Sequence, residues 1–402
     1  MDREFDAWKS FEAETHALED ISALKSQHIV SALATIGRGD KRYILFPWAD
    51  GGNLREFWSD TDIWPVTPGL IHEVLDQLLG LAEGLNSIHQ LSWRHGDVKP
   101  ENILRFTDDK VLGSLKLGDM GLAKKHQVKT DERRHPTETR VGTLRYEPPE
   151  AVVSDGPRSR LYDIWSLGCI MLEFLIWLQY GRKGLESFNL TLNSSLDTGG
   201  SFYQVRKGSD GKVHAHLHEE VEWWLDHIKN DELFEENTAL GDLVRFVQSR
   251  MLVIELPLRL PEIPPSTIPG QQTLLPETSV TPSIMVRNPS PAPQTGSATT
   301  RADSEILVNV LRTVCIRSRE TETYLVPTRS QKQGQPRRAP PHRHGLLQRN
   351  DSRMAFLDPS LALAIEKPIF GANLDGYRGF EVRNLTRPPP PGKKRNGSHS
   401  PE

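Results

Sequence analysis

An aspartate, a lysine and an asparagine lie within one short polar string, His95-Gly96-Asp97-Val98-Lys99-Pro100-Glu101-Asn102-Ile103-Leu104. Asp97 can orient an attacking hydroxyl and accept its proton. Lys99, two residues on, can lean over a transferring phosphoryl group, and Asn102, five residues on, can hold a magnesium ion. These types at these intervals are what phosphoryl transfer needs. The alternative, a polar surface turn between two helices, explains neither the intervals nor the apolar pair Ile103-Leu104 that would start a strand.

The composition sets bounds on what such a loop can belong to. The chain has 402 residues, 37% hydrophobic and 25% charged, which is ordinary for a globular protein of two or three domains. A formal net charge of -4 creates no global field toward nucleic acid or an anionic membrane, so neither is expected as a partner. Cys169 and Cys315 are the only cysteines, which fits a reducing compartment and excludes a disulfide framework. The acidic start, Met1-Asp2-Arg3-Glu4-Phe5-Asp6, lacks the apolar run of a signal peptide, and an intracellular protein, cytoplasmic or nuclear, is expected. Leu161 to Leu178 is apolar enough to suggest a membrane span, but it contains Asp163 and Glu173. A charge at mid-membrane costs about 2.5–3.5 kcal/mol, so a buried helix is expected there instead.

The elements that must position the loop are legible on both sides of it. Phe11, Leu18, Ile21 and Leu24 have helical spacing, and His28 to Ala34 and Arg42 to Trp48 read as two strands joined at Gly37-Arg38-Gly39-Asp40. A short helix starts at Leu54. Thr67-Pro68 is an N-cap followed by proline, and Leu70 to His89 repeats apolar residues at intervals of three and four. Beyond the loop, Leu115 to Leu117 is a short strand, the apolar helix begins near Asp163, and weaker helices are expected around 219–228 and 239–252. Pro257 to Thr300 is rich in Pro, Ser and Thr and cannot bury enough surface to order itself. The expected domains are therefore a partial small lobe and hinge at 1–50, a large lobe at 51–260 and a disordered segment at 261–303. A possible helix at 304–318 and a disordered basic, Pro-rich tail at 319–402 complete the chain.

Taken together, the loop, Asp119-Met120-Gly121, Pro148-Pro149-Glu150 and Asp163-Ile164-Trp165-Ser166-Leu167-Gly168 resemble, in order and spacing, the serine/threonine branch of the eukaryotic protein kinase family over roughly Phe11 to Arg259. The resemblance implies an α+β, protein kinase-like two-lobe fold: a partial small lobe of one helix and short antiparallel strands, and a mainly helical large lobe. It implies ATP and Mg2+ as cofactors and a protein substrate. Asp97 and Lys99 would be catalytic, with Asn102 and Asp119 on the metal; Met120 replaces the usual phenylalanine and fills the same apolar socket. Phe46 would back the adenine pocket, with Pro47 to Ala49 as the hinge, Pro47 keeping its carbonyl and Ala49 its amide donor. Thr143 would bridge Asp97 and Lys99. Asp163 would accept hydrogen bonds from the loop backbone, and Glu150 would form a buried ion pair, with Arg259 at the family position and Arg301 as the competitor.

Two departures limit what the resemblance carries. A kinase of this family needs a glycine-rich loop over the phosphates and a strand lysine paired with a helix glutamate. Glu14 fits the glutamate, but no such loop or strand lysine precedes it in the sequence. Gly96 stands where most members have arginine, so a phosphate on Thr137 or Thr139 has no obvious partner. Two classes stay open: an ATP-dependent serine/threonine kinase, or a non-catalytic kinase-like scaffold whose proline-rich tail recruits partners that bind proline motifs.

Overall fold

The computed structural model describes residue 15 and residues 18–38, 41–62, 65–120, 124–125, 144–153, 158–194, 200–207, 213–255, 300–326 and 381–384. Strands β1 (Ala34–Arg38) and β2 (Lys41–Leu45) form an antiparallel hairpin, with Ala34 opposite Leu45 and Arg38 opposite Lys41. The pleat explains the pattern: Tyr43 and Leu45 face outward, while Ile44 and Phe46 pack on the core. β1 starts later than the sequence suggests because His28 to Val30 pairs elsewhere. Val30 N donates to Leu117 O at 2.8 Å, and Leu117 N to His28 O at 2.8 Å, which ties the small lobe to the strand that leads into Asp119.

The large lobe follows the hinge. Helix α1 (Leu54–Asp60) opens with a capping box in which Asn53 and Glu56 satisfy each other's backbone amides. Helix α2 (Pro68–Gln90) is capped by Thr67, whose side chain accepts from Leu70 N, and buries the apolar repeat read from the sequence. The short ribbon β3 (Trp93–Arg94) pairs with β6 (Lys124–Lys125), and β4 (Ile103–Phe106) pairs with β5 (Ser114–Leu117). Together β3 to β6 bracket the polar loop on one side and Asp119 on the other. The one-turn helix α3 (Glu150–Val153) follows.

Helix α4 (Leu161–Ser194) is the central post and is broken at Gly181, whose φ of 67 lies in the left-handed region that favours glycine. By length and hydropathy it could cross a membrane, but 89% of its most apolar window is buried inside the fold. Asp163 and Glu173 are both paired there, the first with His89 and the second with Arg145. Around α4 gathers an aromatic core in which Trp58, Trp165, Trp177 and Trp224 are fully buried, with Trp58 edge-on to Phe174 at 5.5 Å. Past α4 come a hairpin, β7 (Tyr203–Lys207) with β8 (Val213–Leu217), then α5 (Glu219–Lys229) and α6 (Ala239–Phe246) with a π turn, Val247–Met251.

The chain beyond the proline-rich stretch corrects the expected boundaries. Helix α7 (Ser304–Glu320) packs along α2 and α6, and so belongs to the large lobe, which does not end at residue 260. It buries Leu307, Val308, Leu311 and Val314; fully burying each such side chain is worth about 1.5–3 kcal/mol, enough to hold a helix that could not stand alone. The short α8 (Glu322–Leu325) adds Tyr324 and Leu325 to the same core. The tail, expected to be wholly disordered, contributes strand β9 (Glu381–Asn384), antiparallel to β1 with Ala34 opposite Asn384. Alternation over four residues with a single apolar member is too short a signal to read as a strand.

Candidate active site

The polar loop is held from below by one carboxylate. Asp163, at the start of α4 and fully buried, accepts from His95 N and from His89 Nε2 through Oδ2 at 2.9 and 2.8 Å, and from Gly96 N through Oδ1 at 2.9 Å. Burial alone would push its carboxyl upward. The hydrogen bond and charge of His89, with His95 and the Gly96 amide, outweigh that and hold it below the ordinary value. Gly96 has φ 83, a conformation that glycine adopts freely, which gives a backbone reason for glycine here.

His95 closes the other side. Its Nε2 lies 3.1 Å from Gly118 O, linking the polar loop to the residue before Asp119. Burial drives its pKa below the usual value, against the attraction of Asp163, Asp97 and Asp119, so the ring is held neutral. His28 is shifted down for the same first cause and rests its Nδ1 2.8 Å from Leu115 O. The unfolded chain therefore binds protons near pH 6.5 that the folded state refuses, and their stabilisation is present above that value and lost below it. The urea midpoint is expected to fall between pH 7.5 and 5.5, with His95 contributing a slope of at most about 1.4 kcal/mol per pH unit. A flat midpoint over that range would contradict the neutral ring.

Three of the residues read from the sequence converge on this platform. Lys99 Nζ lies 2.6 Å from Asp97 Oδ2, and Asn102 Nδ2 donates to Asp97 O and Oδ2, each at 2.9 Å. A 3-10 turn, Pro100–Asn102, brings Asn102 back under Asp97, and Gly118 N donates to Asn102 O at 2.8 Å. Because the Asn102 amide spends its nitrogen on Asp97, its oxygen remains as a ligand atom. Asp119 follows directly in the left-handed region at φ 56, a conformation that aspartate tolerates better than most residues. An amide oxygen and a carboxylate are the hard donors that magnesium takes, so the residues present fit that ion. Met120 is buried, as its apolar role requires.

The remaining sites are placed as follows. Phe46 leaves β2 partly buried against the core, Pro47 and Ala49 are half-buried, and Trp48 between them is 73% exposed. Glu14, Thr143 and Arg259 lie outside the described residues. The buried partner of Glu150 is Arg301, with Arg301 Nη2 2.9 Å from Glu150 Oε1, so the ion pair assigned to Arg259 is corrected to the competitor. Arg259 stands at the family position in sequence, whereas Arg301 becomes the partner if the proline-rich stretch interrupts the domain. Pairing in space follows α7 instead.

Sequence reasoning missed an ionic cluster beside the loop. Glu173, fully buried on α4, accepts from Arg145 Nη2 at 3.0 Å and Tyr146 Oη at 2.7 Å, and Arg55 Nη2 stands 3.5 Å away. Arg55 also pairs through Nε with Glu101, inside the polar string, at 3.0 Å. A charge in an otherwise apolar helix was the available signal, since buried carboxylates need partners.

The comparisons with known proteins agree with this geometry. The family described as "Protein kinase domain" matches residues 2–195. A "Cell division control protein 2 homolog 3" of Trypanosoma brucei brucei is 32% identical over 160 residues, covering 39% of this chain and 47% of that protein. The "Serine/threonine-protein kinase grp" of Drosophila melanogaster is 33% identical over 152 residues, covering 38% of this chain and 27% of its own length. The chain thus spans about half or less of the length of these relatives. Over residues 2–195, the part that carries the Asp97 loop and its Asp163 platform, the chain is similar to the protein kinase domain family, and the Drosophila relative is by name a serine/threonine-protein kinase.

Proposed function

We propose that this chain transfers the γ-phosphoryl group of ATP to a serine or threonine hydroxyl of a protein. The observation that carries the reading is the convergence of Lys99 and Asn102 on the Asp97 carboxylate, at 2.6 and 2.9 Å. Asp97 orients the substrate hydroxyl and takes its proton as the new O–P bond forms and the bond to the ADP oxygen breaks. Lys99 balances charge on the phosphoryl oxygens, and Thr143 is assigned to steady the pair. Asn102 and Asp119 would hold magnesium, which when bound neutralises charge on the phosphates. Phe46, Pro47 and Ala49 are assigned to the adenine, and Glu14 to the position of the small-lobe helix glutamate. Both cysteines are free and buried, which supports an intracellular setting.

The test is phosphotransfer by the full chain. With γ-labelled ATP, magnesium and general acceptors such as casein and myelin basic protein, label is expected on serine or threonine. A folded protein that labels neither acceptor nor itself would favour the scaffold reading, in which the domain binds partners and the tail presents proline motifs.

A further inference from the structure

The residues with which the chain re-enters the fold, Thr300 to Ser304, are bonded to α2, α3, the start of α4 and the π turn. Arg301 reaches Glu150 at 2.9 Å and the carbonyl of Leu161, the first residue of α4, at 3.2 Å. Ala302 N donates to Arg250 O at 2.7 Å, and Asp303 caps α7 by accepting from Ile306 N at 2.8 Å. Ser304, the first residue of α7 and 5% exposed, is thereby fixed beside α2. Its Oγ lies 3.1 Å from His89 Nδ1 and 2.9 Å from Asn86 Oδ1.

His89 spends its other nitrogen on Asp163 at 2.8 Å, and Asp163 holds the amides of His95 and Gly96. An unbroken line of buried hydrogen bonds therefore runs from Ser304 through His89 and Asp163 to the residue beside Asp97. An imidazole bonded at one nitrogen can still rotate about its bonds to the backbone. Bonded at both, its ring plane is set. We infer that Ser304 is a positioning residue, through which the start of α7 fixes the His89 ring, the Asp163 carboxylate and so the catalytic loop. For its effect on catalysis, the inference rests on the phosphoryl-transfer reading above; for the geometry of the loop it does not.

Its test is hydrogen exchange in the full chain, comparing wild type with Ser304→Ala. The amides of His95 and Gly96 are expected to exchange about ten-fold faster, the equivalent of one lost buried hydrogen bond, while those of Leu311 and Val314 in the middle of α7 keep their protection. Ser304→Thr, which retains the hydroxyl, is expected to restore the wild-type rates. Should the alanine variant not be recovered folded, Ser304→Cys, of similar size and with a weaker hydrogen bond, is expected to move the same two amides. In phosphotransfer assays kcat should fall with KM for ATP unchanged. Unchanged exchange at His95 and Gly96, or loosening confined to α7, would overturn the inference. If wild type transfers no phosphate, the exchange data alone decide it, so failure of the kinase reading stays distinct from failure of this one.

Discussion

Replacing Arg301 with alanine is expected to lower folding stability by about 3–5 kcal/mol, the cost of stranding one partner of a buried ion pair. The Arg301 side chain is 1% exposed and that of Glu150 6%. Removing the guanidinium leaves Glu150 with the Glu255 amide as its remaining partner on Oε1 and no hydrogen bond at all on Oε2. It also frees the carbonyls of Val253 and Leu161, to which Arg301 donates at 2.9 and 3.2 Å. The shift would be read as a lowered urea midpoint at unchanged m value. Arg259→Ala is expected to stay within about 0.5 kcal/mol of wild type, because Glu150 is already paired. Equal losses in the two variants would contradict the assignment of the ion pair to Arg301.

The second large effect is on chemistry. Asp97→Asn keeps the size of the side chain but removes the base, and phosphotransfer is expected to drop by about 10²–10⁴-fold. The loop should survive, because its backbone is held by Asp163 and not by Asp97. Magnesium nucleotide binding should survive as well, since Asn102 and Asp119 are untouched. Kinetics and binding measured on the same preparation separate the two. A variant that retained full transfer would remove Asp97 from its role.

Much of this site is legible in the sequence. Asp97, Lys99 and Asn102 sit in one continuous string, so their convergence needs only a local turn. Asp163 was legible as well, because a carboxylate in so apolar a helix must be paired. The helices α1, α2 and α4 followed from caps and apolar spacing, although the Gly181 break and the extension of α4 to Ser194 did not. What escaped was pairing at a distance. Nothing in sequence marks Ser304 as the neighbour of His89, or Arg301 as the partner of Glu150 in preference to Arg259. Those contacts arise because α7 lays its apolar face on α2, and a helix pattern shows that such a face exists without showing what covers it. The β9 pairing escaped for a related reason: strand partners far apart in sequence are set by a sheet edge, not by local periodicity.

The central claim is that the loop and Asp119 hold a magnesium nucleotide, and thermal unfolding with and without that ligand tests it most directly. Ligand bound to the folded state alone adds about 2.7 kcal/mol at a hundredfold excess over Kd, or about 5–10 °C for a domain of this size. Magnesium ATP is predicted to raise Tm by that amount in wild type and in Asp97→Asn. The gain should disappear on chelating the metal and be largely lost in Asp119→Asn. A wild-type protein whose Tm does not move with magnesium ATP, or moves equally in Asp119→Asn, would contradict the account.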